Sequence, residues 1–222
     1  MVEDHPLFAD AVELTLEGGL GVREMRRAST LAEAFSALDG GFRPETVLLD
    51  LGLPDAYGLE GLARMRAAAP SAFVIIVTSY AEPRVATAAL LGGADGVILK
   101  TSGREALADG VRRVWAGERV APADVLLRFD GDRVEDPEAV ADAEAARRLS
   151  TLTAQQSRIL DLVCQGMLNK QIAFELDIAE TTVKAHISAI LRKLGVQSRT
   201  QAVLAAQKVR FSRMAQTGPA GI

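Results

Sequence analysis

Up to about residue 117 the chain alternates short, nearly unbroken apolar runs with longer segments whose apolar residues recur at helical period. A strand buried on both faces reads as a continuous apolar run and a covering helix as a period of 3.6. The alternation therefore predicts a parallel sheet wrapped by helices. The expected strands are Thr46–Leu49 (TVLL), 72–77 (AFVIIV) and Gly96–Leu99 (GVIL), with a weaker one at 22–26. Helices are expected over 6–17, 30–39, 58–69, 83–92 and 103–116, one opened by Ser29 before Thr30 and another by Pro83 in its first turn. The fold class is α/β, a doubly wound parallel sheet.

The pattern changes after residue 117. Residues 130–150 hold few large apolar side chains, and their second half, from Pro137 to Leu149, is rich in Ala, Glu and Arg and favours helix. Thr153 to Gln156 fits a capping box ahead of Ile159, Leu160, Leu162 and Val163, and Gly166 closes that helix. Three more helices follow at 169–176, 181–194 and 199–209 with no strand among them, an all-α four-helix arrangement. The expected organisation is a domain over 1–117, a partly helical linker over 118–150, a helical domain over 151–211 and a disordered tail over 212–222.

Composition narrows the function classes. No apolar run approaches the roughly 18 to 20 residues that span a bilayer, and the start Met1-Val2-Glu3-Asp4-His5 lacks the basic and apolar regions of a secretory signal. A cytoplasmic protein without membrane partners is expected. A single cysteine, Cys164, and two separated histidines exclude an internal disulfide and a structural zinc site. The net charge of −4 hides a division: residues 1–117 carry −5, 118–129 zero, 130–150 carry −4 and 151–222 carry +5. An acidic front and a basic back suit different partners, a cation and a phosphate backbone.

In a parallel α/β sheet ligands sit beyond the carboxyl ends of the strands. Asp50 follows TVLL, Thr78 follows FVIIV, Lys100 follows GVIL, and Glu3 and Asp4 precede the first helix. Clustered carboxylates suit a hard cation such as Mg²⁺. If Asp50 attacks a phosphoryl donor, Lys100 and the Thr78 hydroxyl can take phosphoryl oxygens that the cation does not. Singly, each residue also reads as a cap or a solvated strand end; the conjunction points to chemistry.

In the back third, two helices joined by a short turn at 176–181 form a helix-turn-helix. At about 100° per residue, Ile187, Ile190, Leu191 and Leu194 lie within about 80° of Val183, and that face is core. Thr181, Lys184, Ala185, Ser188 and Arg192 lie on the opposite face. A solvated amphipathic face is the ordinary reading, but short polar and basic side chains also permit entry into a major groove. Asn169, Lys170, Thr181 and Thr182 stand at helix starts, where side chains and free amides suit phosphates.

The segments VEDHPLF, LLDLGLPDAYG, VTS and GVILKTS resemble, in order and spacing, the receiver domain of NarL/FixJ-type response regulators. TTVKAHISAILRKLGV, within 152–203, resembles the LuxR-type helix-turn-helix. The resemblance implies a flavodoxin-like receiver. It implies that Asp50 is the phospho-acceptor, that Glu3, Asp4, Asp50 and the Gly52 carbonyl hold Mg²⁺, and that Thr78 and Lys100 sense the phosphoryl group. It also makes Lys184, Ala185 and Ser188 the base readers and 199–209 a dimer-forming helix. Three departures stand out. Val97 replaces the usual switch aromatic, a role Tyr80 can share; Gln155-Gln156 replaces Arg-Glu; and only Met1 and Val2 precede Glu3, where receivers build a strand of about five residues. For the last, a start set too late, completion by exchange with another protomer, or a reorganised inactive receiver are the explanations, in that order. The function expected is a DNA-binding transcriptional regulator, not an enzyme, phosphorylated at Asp50 by a sensor histidine kinase or a small phosphodonor and dimerising on promoter DNA. The alternatives are a phosphorylation-independent constitutive dimer and an aspartyl-phosphate phosphohydrolase.

Overall fold

The computed structural model describes residues 1–56, 58–127, 129, 130, 133, 134 and 136–209; the tail expected at 212–222 lies outside the described residues. The chain divides into two compact units, Met1–Ala143 and 144–222.

In the front unit the three apolar runs are strands β1 (Thr46–Leu49), β2 (Phe73–Thr78) and β3 (Gly96–Leu99). They pair in parallel in the order β1-β2-β3, with Leu49 opposite Ile76 and Ile76 opposite Val97. Between and around them run α1 (Pro6–Leu20), α2 (Leu31–Asp39), α3 (Leu59–Ala68), α4 (Pro83–Leu91) and α5 (Gly103–Trp115), then a single turn, α6 (Ala123–Leu126). Strand side chains alternate between two covered faces, which is why the runs lack polar positions. Leu48, Ile75, Val77 and Ile98 face Val12 and Leu16 of α1 and Leu107, Val111 and Val114 of α5. Val47, Leu49, Val74 and Ile76, of opposite parity, are equally buried, as are Leu59, Leu62 and Met65 of α3. Each such side chain contributes about 1.5–3 kcal/mol by leaving water.

The start of α2 differs from expectation: Thr30 is the N-cap and accepts from the Glu33 amide, while Ser29 binds the Glu33 carboxylate. The strand expected at 22–26 does not form. Among the described residues, pairing there is limited to Ala28, whose amide donates to Met1 O, and to the Arg26 carbonyl, which accepts from the Met1 amino group. Val2 is bridged to Ala28 on one side and to Leu49 on the other. Its amide donates to Leu48 O at 2.8 Å and its carbonyl accepts from the Asp50 amide at 3.0 Å, while the Glu3 amide donates to Ala28 O at 2.9 Å. Counting these bridges, the order is Ala28, Val2, β1, β2, β3, which is the flavodoxin-like winding. Beyond Met1, a cavity of about 560 Å³ lies between the sheet and α1, α2 and α5, walled by Leu16, Leu20, Leu38, Phe42 and Trp115.

Within the stretch expected as linker lie α6, a short antiparallel pair β4 (Phe129–Asp130) and β5 (Arg133–Val134), and α7 (Pro137–Ser150). The boundary between the two units falls inside α7. The back unit continues with α8 (Ala154–Cys164), α9 (Asn169–Glu175), α10 (Glu180–Leu194) and α11 (Arg199–Val209). Its core gathers Ile159, Leu160, Val163, Ile172, Val183, Ile190 and Leu194, all nearly inaccessible to solvent. Gly195 ends α10 in a left-handed conformation (φ 70°) that a side chain resists, and Arg148 donates to Leu194 O at 3.1 Å, placing a cation at the negative helix end.

Candidate functional site

The strand ends converge as their register requires. Lys100 Nζ lies 2.8 Å from Asp50 Oδ2 and 2.7 Å from a Glu3 carboxylate oxygen. Both carboxylates are buried, at 5% and 3% exposure, and Lys100 is 12% exposed. Burial acts to lower the Lys100 pKa, but hydrogen bonds to Asp50 and Glu3 outweigh it and hold the ammonium above its ordinary value. Ligand atoms of Glu3, Asp4, His5 and Asp50 all lie within 4.8 Å of one another. Three carboxylates at that spacing are a donor set for a hard divalent cation. Gly52 lies against the cluster: a Cβ there would stand 3.4 Å from Asp50 Oδ2.

Thr78, fully buried, ends β2 one strand away and accepts from the Tyr80 amide at 3.2 Å. The Tyr80 hydroxyl is pushed up from its usual value, first by burial and then by the charge of Asp50. Val97 is buried within β3.

Three contributors escaped the sequence reading. Asp55 accepts from the Leu31 and Ala32 amides, both at 2.8 Å, and so caps α2 while tying down the loop that follows Asp50. An Asp directly after the Pro54 turn was a visible signal for a cap, though not for which helix it serves. Phe8 sets its ring 4.9 Å from Lys100 Nζ. His5 approaches Glu3 and Asp4 through Nδ1, at 2.9 and 2.8 Å; its adjacency to the acidic pair was the available signal.

In the back unit, Thr181, Thr182, Lys184, Ala185, Ser188 and Arg192 are all exposed on α10, while Val183, Ile190 and Leu194 are buried, as the angular placement requires. Ala179 at the N-cap offers no side-chain acceptor, and the Thr182 amide donates to its carbonyl at 2.9 Å. Lys184 pairs with Glu180 one turn back at 2.9 Å, and the Ser188 hydroxyl donates to Lys184 O at 3.0 Å. Lys170 is exposed, whereas Asn169 is half-buried and accepts from Arg199 at 3.2 Å, a contact within the unit that the sequence did not announce.

Gln156 performs the capping expected of it: Thr153 Oγ1 accepts from its amide and its Oε1 accepts from the Thr153 amide. The same Oε1 accepts from Lys193 at 2.8 Å, joining the start of α8 to α10. Gln156→Ala is expected to destabilise the back unit by about 1–2 kcal/mol, read as a lower thermal midpoint. An unchanged midpoint would show the cap to be dispensable.

Residues 1–112 match the response regulator receiver domain, and residues 150–206 match the luxR family of bacterial regulatory proteins. The chain belongs to the DNA-binding response regulators. It is 37% identical to the glycerol metabolism activator of Pseudomonas putida over 96% of each chain. It is 32% identical to the transcriptional activator DevR/DosR of Mycobacterium tuberculosis over 99% of this chain and 98% of that one. Among solved structures, RcsB of Salmonella enterica serovar Typhimurium bound to a promoter shares the fold, with a TM-score of 0.53 and 20% identity over 94% of this response regulator and 96% of that chain. Its role is therefore DNA-binding transcriptional regulation within a two-component system. No helix among the described residues is long and apolar enough to cross a membrane.

Proposed function

We propose that Asp50 is the phospho-acceptor of this regulator and that its phosphorylation drives the back unit to pair on promoter DNA. The observation that carries the reading is the Lys100 ammonium held between the buried carboxylates of Asp50 and Glu3. An Asp50 oxygen attacks the donor phosphorus; the new P–O bond forms as the bond to the leaving group breaks, and the leaving group, a kinase histidine or a small acid, keeps the electron pair. Glu3, Asp4, Asp50 and the Gly52 carbonyl would hold Mg²⁺, which would supply charge neutralisation to the transfer. Lys100 then pairs with a phosphoryl oxygen instead of a carboxylate, and Thr78 turns its hydroxyl to another. Tyr80 follows, since its amide is bonded to the Thr78 hydroxyl.

On the DNA side, Lys184, Ala185 and Ser188 read base edges, while Lys170, Thr181, Thr182 and Arg192 take backbone phosphates, with Asn169 positioned beside them. The active species is a cytoplasmic homodimer, built through α11 and spanning two half-sites about one helical turn apart. On this reading the receiver domain spans 1–117 and the DNA-binding domain 151–211.

The test is a promoter footprint with and without acetyl phosphate and Mg²⁺, alongside intact-mass detection of the adduct. Phosphorylation is expected to add one phosphoryl group and raise promoter affinity, and Asp50→Asn to abolish both. An adduct that persists in Asp50→Asn would move the acceptor elsewhere, and promoter binding indifferent to the adduct would favour the constitutive dimer.

A further inference from the structure

The first half of α7 is held in the front unit in an unusual way. Ala139 and Asp142, three residues apart on one side of the helix, are 0% and 1% exposed. A carboxylate so buried is tolerable only with a partner of opposite charge and good geometry. Arg84 of α4 supplies one: its Nε and Nη2 lie 2.7 and 2.6 Å from Asp142 Oδ2, and its Nη1 reaches Glu138 one turn earlier. One guanidinium thus grips two carboxylates of α7, and the small side chain of Ala139 adds little apolar contact to replace it.

The position of Arg84 gives the grip its meaning. It is the second residue of α4, one after Pro83, and four residues separate Pro83 from Thr78 at the end of β2. That loop is pinned at its start by the Thr78 hydroxyl accepting from the Tyr80 amide. When Thr78 turns toward a phosphoryl group on Asp50, the loop and the first turn of α4 lose that pin. A planar guanidinium bonded to two carboxylates tolerates little displacement. A shift of an ångström or two would misalign the guanidinium against both carboxylates at once and weaken the hold of α4 on α7.

We propose that the Arg84–Asp142–Glu138 cluster is a latch that holds the first half of α7 on α4, and that phosphorylation of the front site releases it. This rests on the reading of Asp50 as acceptor. Since the boundary between the units falls inside α7, the latch governs the helix through which the front unit continues into the DNA-binding unit.

Hydrogen exchange on the full chain, followed in the peptide covering 137–143, tests both halves. Arg84→Gln is expected to speed exchange of those amides about tenfold or more without phosphate, leaving the peptides of β2 and α3 unchanged as the folding control. Acetyl phosphate with Mg²⁺ is expected to do the same to the unmutated chain once the adduct has formed. Arg84→Met combined with Asp142→Leu, which replaces the ion pair by an apolar one, is expected to keep exchange slow in both states. Unchanged exchange in Arg84→Gln would overturn the latch. An adduct without faster exchange would overturn its coupling to phosphorylation while leaving the acceptor intact. Failure of any adduct to form would overturn the acceptor reading and the coupling with it, and the Arg84→Gln result would still decide whether the latch exists.

Discussion

Lys100→Met is expected to cost the front unit about 3–5 kcal/mol of folding free energy when divalent cations are chelated, the largest effect of any single side chain at the site. The substitution keeps the length and apolar stem of lysine, so packing against Phe8 changes little. What it removes is the ammonium between two carboxylates that are 5% and 3% exposed. Two like charges then face each other out of water with no counter-ion. Mg²⁺ restores a countercharge to that cluster, and binding to the folded state alone adds stability by mass action. The variant is therefore expected to recover much of its loss on addition of Mg²⁺, while the unmutated chain responds less. Urea unfolding in chelator and in Mg²⁺ measures both numbers. Equal midpoints for variant and parent in chelator would show that the ion pair does not sustain the site. A variant that gains no more from Mg²⁺ than its parent would remove Glu3, Asp4 and Asp50 as the cation's ligands.

That site was largely legible because strand ends are local features. An apolar run fixes where the strand stops, the parallel register brings successive ends together, and the residue after each run is then a neighbour of the others: Asp50, Thr78 and Lys100 needed nothing more. Helix faces are local as well, which is why the exposed face of α10 followed from angular spacing alone. The misses have one physical cause, dependence on partners distant in sequence. The segment 22–26 carries strand-like residues but a strand needs a neighbour, and the bridge to Val2 is made by Ala28 instead. Asn169 has the composition of a phosphate contact, and its bond from Arg199, thirty residues on, is a pairing that the sequence did not announce. Asp55 reaches back twenty-four residues to cap α2, and Arg84 reaches forward to Asp142 across fifty-eight. No periodicity encodes such pairings, whereas the chemistry of an unpaired buried charge makes them compulsory once the fold is known.

For the back unit the expected result is that Lys184→Ala weakens binding to the cognate promoter by about 1–3 kcal/mol, roughly fivefold to 150-fold, without destabilising the protein. The fold is spared because Lys184 is exposed and its pair with Glu180 is a surface contact one turn apart. The affinity falls because α10 presents Lys184 beside Ala185 and one turn from Ser188, with its buried stripe of Val183, Ile190 and Leu194 turned away. Salt dependence then separates its two possible contacts. A lysine on a phosphate releases counterions, so its loss lowers the slope of log affinity against log salt by about one and weakens all sequences alike. A lysine on a guanine edge instead relaxes discrimination at one position, and non-specific binding is untouched. Arg192, two turns further along the same face, is the comparison: as a phosphate contact, Arg192→Ala should change the slope and spare the discrimination. If Lys184→Ala altered neither slope nor discrimination, α10 would not be the element that enters the groove, and the basic character of the back unit would have to act through another surface.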